Sequence, residues 1–188
     1  MDEPILNIVG EKVALGPVRR DLAPLYQRWM NDFEVTRLMG QPTAPRGIEY
    51  EHDWLDRVTR TIDPATFTIY ERATLRPIGN TDLRDIDHRH GTALFGIVIG
   101  ERDCWNKGYG TEATRLVLGY GFNVLGLHNI MLHVFAPNGG AIRAYERAGF
   151  KPMGRRRGAH LDGHERVDTV FMDCTAGDFN AAPGGATG

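Results

Sequence analysis

The chain has 188 residues, of which 41% are apolar and 24% charged, enough for one domain with a sizeable core. A formal net charge of -2 gives it no global attraction to nucleic acid or to an anionic membrane, and no apolar run approaches the roughly 20 residues that span a bilayer. Its two cysteines, Cys104 and Cys174, lack metal-ligand spacing. So few thiols point to a reduced, cytoplasmic setting rather than a disulfide framework.

The opening residues, MDEPILNIVG, are acidic and lack the basic-then-apolar order of a secretory leader. KVALGPV reads as a first strand. In RRDLAPLYQRWMND, the residues Leu22, Leu25, Tyr26 and Trp29 share one helical face, and IEYEHDWLDRVTR repeats the pattern with Trp54, Leu55 and Val58. ATFTIYER and RPIGNTDLRDID alternate as paired strands with a turn near 74–77. TALFGIVIG is more continuously apolar, as a central strand buried on both faces would be. A helix is predicted over 111–125, and NIMLHVFA is a strand. NGGAIRAYERAGF is a helix stopped by Gly149, and KPMGRRRG and RVDTVFMDC are final strands. This order predicts an α/β (α+β) domain with a mixed central sheet of six to seven strands and helices on both faces. Residues 1–176 are expected to form that single domain. Residues 177–188 are too poor in large apolar groups to pack and are expected to be a flexible tail, frayed from about Ala176.

One stretch carries more chemistry than the rest. In ERDCWNKGYGTEA, Gly108 and Gly110 lie just past a strand and just before a helix. Glycine admits left-handed backbone angles and a close ligand. The first amides of a helix lack internal partners and sit at the positive end of its dipole. A phosphate fits such a place, and Lys107 could add charge. The stretch is not a Walker loop, since no Gly-Lys-Ser/Thr follows a four-residue spacer. Nor is it the dinucleotide G-x-G-x-x-G, since position 113 is Ala and no preceding βαβ unit or acidic strand end accompanies it. Taken alone, the glycine pair suits a tight strand-to-helix turn equally well.

Taken with a second block, the stretch resembles the GCN5-related N-acetyltransferase superfamily, particularly the ribosomal-protein N-terminal acetyltransferase branch. The family's Q/R-x-x-G-x-G/A loop corresponds to Trp105-Asn106-Lys107-Gly108-Tyr109-Gly110, where Trp105 departs from the broad pattern but WNKGYGTEA is similar to that branch's W-G-K-G-Y-x-T-E-A. Asn138 and Tyr145-Glu146-Arg147-Ala148-Gly149-Phe150 match the second block in order and spacing. The resemblance covers about residues 10–175. One departure is Ala141, which stands where the branch often has Ser.

The resemblance implies acetyl-coenzyme A as co-substrate, a primary amine as acceptor, direct attack, and no metal. Residues Asn106, Lys107, Gly108, Tyr109, Gly110 and Thr111 would hold the pyrophosphate through their amides, with Asn138 nearby. The backbones of Val98, Ile99 and Gly100 would pair with the pantetheine arm. An amine must lose its proton before attack, and the departing thiolate must gain one. Tyr145 is the expected acid. His133, whose ordinary pKa near 6.5 suits neutral pH, is the first candidate base and Glu101 the second. Glu112 is expected to cap amides or pair internally, and Arg155–Arg157 to be a solvated run.

Acceptor choice should lie with the early helices and the last hairpin; in the helices Trp29, Met30, Phe33, Tyr50 and Trp54 offer apolar walls and Asp32, Glu34, Glu51, Asp53 and Asp56 negative charge. A cationic amine suits such a roof: a protein N-terminus, which the resemblance favours slightly, or a polyamine or aminoglycoside. A non-catalytic acyl-coenzyme A sensor and a plain nucleotide-phosphate module are the competing classes. A homodimer is compatible with all of them.

Overall fold

Eight strands form one sheet in the order β1-β2-β3-β4-β5-β6-β8-β7. The computed structural model describes residues 3–39, 44–60 and 65–181. Its strands are β1 (Ile8–Val9), β2 (Val13–Pro17), β3 (Thr66–Glu71), β4 (Pro77–Asp87), β5 (Thr92–Ile99), β6 (Asn129–Phe135), β7 (Lys151–Asp162) and β8 (Glu165–Thr175). Its α-helices are α1 (Ala23–Asn31), α2 (Phe33–Thr36), α3 (Ile48–Thr59), α4 (Tyr109–Gly119), α5 (Gly139–Ala148) and α6 (Ala176–Ala181). Seven strands are those expected from alternation. The eighth, β1, is two residues long and too short for a period to declare itself.

Side-chain alternation along the strands builds two cores. Val13, Leu15, Phe67 and Ile69 point to one face and pack with Ala113, Val117 and Leu118 of α4. Tyr70 points to the other face and packs with Tyr26 and Trp29 of α1 and Leu55 of α3. Helices therefore cover both faces, as the apolar stripes of α1 and α3 require. Pro24 opens α1 at a position where its missing N–H costs nothing. The Tyr26 hydroxyl ties the helix to β3 through Thr68 Oγ1 at 2.6 Å.

Helix α4 runs on into a wider π-type turn over Tyr120–Val124, which carries Phe122 into the core. There Phe122 meets Phe179 of α6, with ring centroids 5.5 Å apart. Residues 176–181, expected to fray, are thus ordered as a helix; residues 182–188 of the expected tail lie outside the described residues. Six residues cannot hold a helix by themselves. The anchors are Phe179, 5% exposed, and Asp178, which pairs with Lys151 and accepts from Thr175 Oγ1 at 2.8 Å. Replacing Phe179 with Ala should cost about 3 kcal/mol or more. A urea midpoint unchanged from wild type would show that α6 is not docked in solution.

Candidate active site

All neighbouring strands are antiparallel except β5 and β6, which pair in parallel at Thr92–Asn129, Ala93–Ile130 and Leu94–Met131. Past Leu94 and Met131 they share no ladder pair. Each remains paired on its outer side: β5 with β4 as far as Ile99, β6 with β8 as far as Phe135. The sheet therefore opens between them. A cleft of about 1330 Å³ lies there, bordered by Ile97, Ile99, His133 and Tyr145 and, at one rim, by Gly108 and Gly110. It passes through the sheet. Phe95, Val134 and Tyr145 line it on the α4–α5 face, and Asp82, Gly96 and His133 on the α1–α3 face.

The glycine loop forms one rim. Asn106 at φ 59° and Gly108 at φ 86° both take left-handed angles, and Gly108 is the N-cap of α4. Such angles are strained for a side chain, which explains glycine at the cap. Glu112 N–H donates to Gly108 C=O at 3.1 Å. The preceding amides, Gly108 to Thr111, have no carbonyl a turn behind them within the helix. Three contacts fix the loop. Trp105 Nε1 donates to Ile99 C=O at 2.8 Å, Tyr109 Oη donates to Glu71 at 2.7 Å, and Arg76 pairs with Asp103 at 2.7 Å. Glu112 accepts from the backbone N–H groups of Glu11 and Lys12. It pairs internally, holding the β1–β2 turn against the helix. That turn brings Lys12 Nζ to within 3.5 Å of the Lys107 carbonyl, so Lys12 supplies an ammonium beside the loop. Nothing local in the sequence marks Lys12, since its partner Glu112 is 100 positions away.

Strand parity divides the three expected backbone contacts. Gly100 N–H donates to Ile78 C=O at 2.9 Å, which makes Gly79–Ile99 a pair whose own peptide groups point away from each other. The N–H and C=O of Ile99, and those of Ile97 two residues before, therefore face the opening. Those of Val98 face β4. Val98 and Gly100 are thus not placed as backbone partners for a ligand in the cleft, whereas Ile97, which the sequence reading passed over, is. Gly100 has another reason to be glycine. A Cβ there would lie 2.2 Å from the Trp29 indole.

Glu101 is also displaced from its expected part. Its Oε1 accepts from Trp29 Nε1 at 2.8 Å and pairs with Arg28, and its Oε2 lies 4.0 Å from Arg76. It faces a separate shallow recess with Asp32, Arg102 and Asp103, outside the cleft that contains Tyr145. A carboxylate held by these donors anchors α1 to the end of β5. It is not poised to take a proton from an acceptor in the cleft.

Tyr145 and His133 do border the cleft. Asn138 caps α5, its Oδ1 accepting from Ala141 N–H at 3.1 Å, and Gly149 closes the helix by donating to Tyr145 and Glu146 carbonyls. This turn folds Phe150 back. The Tyr145 ring then sits edge-on to Phe95 and Phe150, each 6.0 Å away. Burial pushes its hydroxyl up to about 12, and among the described residues that hydroxyl has no hydrogen-bond partner. It is a protonated donor facing a ligand space. His133 is accessible from the cleft, yet desolvation by the cleft walls, and secondarily the Arg84 guanidinium, push its pKa below the usual 6.5. It is therefore neutral at pH 7. Arg155–Arg157 lie exposed on strand β7, away from the cleft, with Arg155 facing Asp168 at 3.4 Å. Among the described residues, no group of His, Cys, Asp or Glu is gathered as a metal site.

Residues 12–151 match the acetyltransferase (GNAT) domain model. The chain is 28% identical over 159 residues to alpha/beta-tubulin-N-acetyltransferase 9 of Mus musculus, covering 78% of this chain and 64% of that protein; the chain thus spans under two thirds of that relative's length. It is 35% identical over 86 residues to spermidine N(1)-acetyltransferase of Vibrio cholerae, covering 46% of this chain and 49% of that one. Its fold superposes on spermidine N-acetyltransferase from Vibrio cholerae in complex with CoA and spermine. That match has a TM-score of 0.79 at 22% identity, covering 88% and 96% of the two chains.

Gly100→Ala should lower stability by about 1–3 kcal/mol, because the new methyl must displace Trp29. A thermal midpoint within error of wild type would show that α1 does not seat on that glycine. The parted strands, the left-handed loop opening α4 and the match over residues 12–151 together place this chain in the acetyltransferase (GNAT) domain family.

Proposed function

We propose that this protein transfers the acetyl group of acetyl-coenzyme A to a primary amine by direct attack. The observation that carries the reading is the parting of β5 and β6 beneath the exposed amides at the start of α4. In this reading the amides of residues 106–111, with the Lys12 ammonium, receive the pyrophosphate. The peptide groups of Ile97 and Ile99 align the pantetheine arm as an added strand would, and the thioester is led between the two half-sheets. The fit is chemical: unpartnered N–H donors meet an anion, and an extended amide chain meets an unpaired strand edge.

Each remaining step belongs to a side chain. His133, neutral at pH 7, takes a proton from the acceptor ammonium, directly or through water. The amine attacks the thioester carbonyl, and a main-chain amide of the β5 edge stabilises the charge growing on its oxygen. Tyr145, whose raised pKa keeps its proton in place, gives that proton to the departing thiolate. Acceptors reach the thioester from the α1–α3 face, where Met30, Tyr50 and Trp54 supply apolar wall and Glu34 and Asp82 negative charge. Both a protein N-terminus and a polyamine are cationic and narrow enough for that route. The tubulin acetyltransferase supports the first across most of this chain, and the spermidine enzyme supports the second.

Thiol release from acetyl-coenzyme A across a panel of peptides, polyamines and aminoglycosides tests the reading. Cofactor binding with no thiol release for any amine would make the protein a sensor instead, and tight ATP or NAD binding with no acetyl-coenzyme A binding would make it a nucleotide module. Tyr145→Phe should lower kcat about tenfold or more, as loss of a general acid does, with the thermal midpoint unchanged. An unaltered kcat would take Tyr145 out of the mechanism. A base must be neutral to act, so activity should rise with pH through the His133 pKa. Because that pKa is depressed, the acidic limb should lie below pH 6.5, and His133→Ala should abolish it. A limb that persists in this variant assigns the proton to another group.

A further inference from the structure

The acceptor side of the cleft holds an acid that the fold leaves unsatisfied. Glu51 lies in the first turn of α3 and is 2% exposed, while its neighbours Glu49, His52 and Asp53 are exposed. It stands four residues before the core residue Leu55, on the helix face that periodicity reserves for apolar side chains. Its Oε1 is fully enclosed yet has no hydrogen-bond partner among the described residues, and the side chain lines the cleft. Asn80 of β4 lines the same cleft and is in the same position, its buried Nδ2 also without a partner. Asp82, by contrast, is matched by Arg84, at 3.1 Å from both oxygens. Desolvation raises the Glu51 pKa, and Arg46 is the cation that opposes the shift.

A buried carboxyl lacking a donor is costly to a fold, and costlier still when ionised. A ligand that supplies a charged donor removes that cost. We infer that Glu51 selects the acceptor by receiving a second, protonated amine of a diamine-type substrate. The inference rests on the acetyl-transfer reading. The reacting amine must be neutral and must lie between β5 and β6, beside His133 and Tyr145. Glu51 is on α3, whose Leu55 packs with α1 over Tyr70, whereas the opening lies between β5 and β6. An ammonium bound at Glu51 stays charged and so cannot be the nucleophile; it is the handle by which the substrate is held. Glu51 is thus a specificity residue rather than a catalytic one, and an acceptor without a second cation would leave it unsatisfied.

The test compares spermidine with n-butylamine, using wild type, Glu51→Gln, which keeps the shape, and Glu51→Leu, which removes the unsatisfied group and secures a folded variant. The Gln variant is expected to raise KM for spermidine about tenfold, the worth of one charge-assisted contact of about 1.4 kcal/mol, with kcat and the n-butylamine KM little changed. An unchanged spermidine KM, or an equal rise for both amines, overturns the inference. Thermal stabilisation by spermidine in the absence of acetyl-coenzyme A provides a second readout that needs no turnover. Wild type should be stabilised and both variants should not; stabilisation retained in the variants, or absent from wild type, overturns the role of Glu51. Failure of wild type to release thiol with any amine would instead count against the acetyl-transfer reading, and the thermal arm would still decide whether Glu51 binds a diamine.

Discussion

Two parallel strands that pair for three residues and then separate are the constraint from which the rest of this molecule follows. Strand β5 is held along its length by β4 and strand β6 by β8, so neither half-sheet can relax to close the gap. Sheets twist, and two half-sheets joined at one short ladder diverge as they leave it. The opening turns peptide groups of Ile97 and Ile99, which a continuous sheet would consume, toward ligand space. Trp105 Nε1 meets the Ile99 carbonyl, but the other peptide groups along this edge have no strand partner, and leaving such groups unpaired is costly.

The rim of that opening is stiff for identifiable reasons. Two left-handed residues, Asn106 and Gly108, turn the chain from the end of β5 into α4. Their conformation persists because strand β3, the β3–β4 and β1–β2 turns and the loop itself all bond to it: Glu71 to Tyr109, Arg76 to Asp103, the β1–β2 turn's N–H groups to Glu112, and Trp105 back to Ile99. The same end of β5 is secured from the other face of the sheet by Trp29, which packs on Gly100 and donates to Glu101. Amides at the mouth of a helix attract anions only if they stay fixed and uncovered, and this frame fixes them without filling the space before them.

Unsatisfied groups in the interior are few, and several of them line one cleft. The Tyr145 hydroxyl, the Glu51 carboxyl and the Asn80 amide all face it without a protein partner. Tyr26 Oη, by contrast, is matched with Thr68 Oγ1 at 2.6 Å, whereas Tyr70 Oη, outside the cleft, is buried without a partner among the described residues. A fold tolerates this imbalance where substrates complete the hydrogen bonding. Tyr145 faces the α4–α5 side of the sheet and Glu51 belongs to the α1–α3 side, so the two halves of a group transfer can enter from opposite directions and meet where the strands part.

The sequence by itself determined the elements and their order, because apolar period and glycine placement are local properties. Seven strands, the helix after the glycine loop, the cap at Gly149 and the tyrosine four residues before it were all legible in this way. What it missed depended on partners far along the chain. Whether Val98 or Ile97 turns its peptide toward the opening is set by registry with β4, and a strand seen alone has no registry. Glu101 read as a candidate base until Trp29 and Arg28, more than 70 positions away, engaged its carboxylate. Lys12 reached the loop only through Glu112, and Phe179 ordered residues 176–181 only by meeting Phe122. Glu51 was legible as one acid among several on α3; that it alone is turned inward and left unpaired was decided by how the helix docks. Local chemistry is written in neighbouring residues, whereas burial, parity and charge pairing come into being only when distant segments share the same few ångströms.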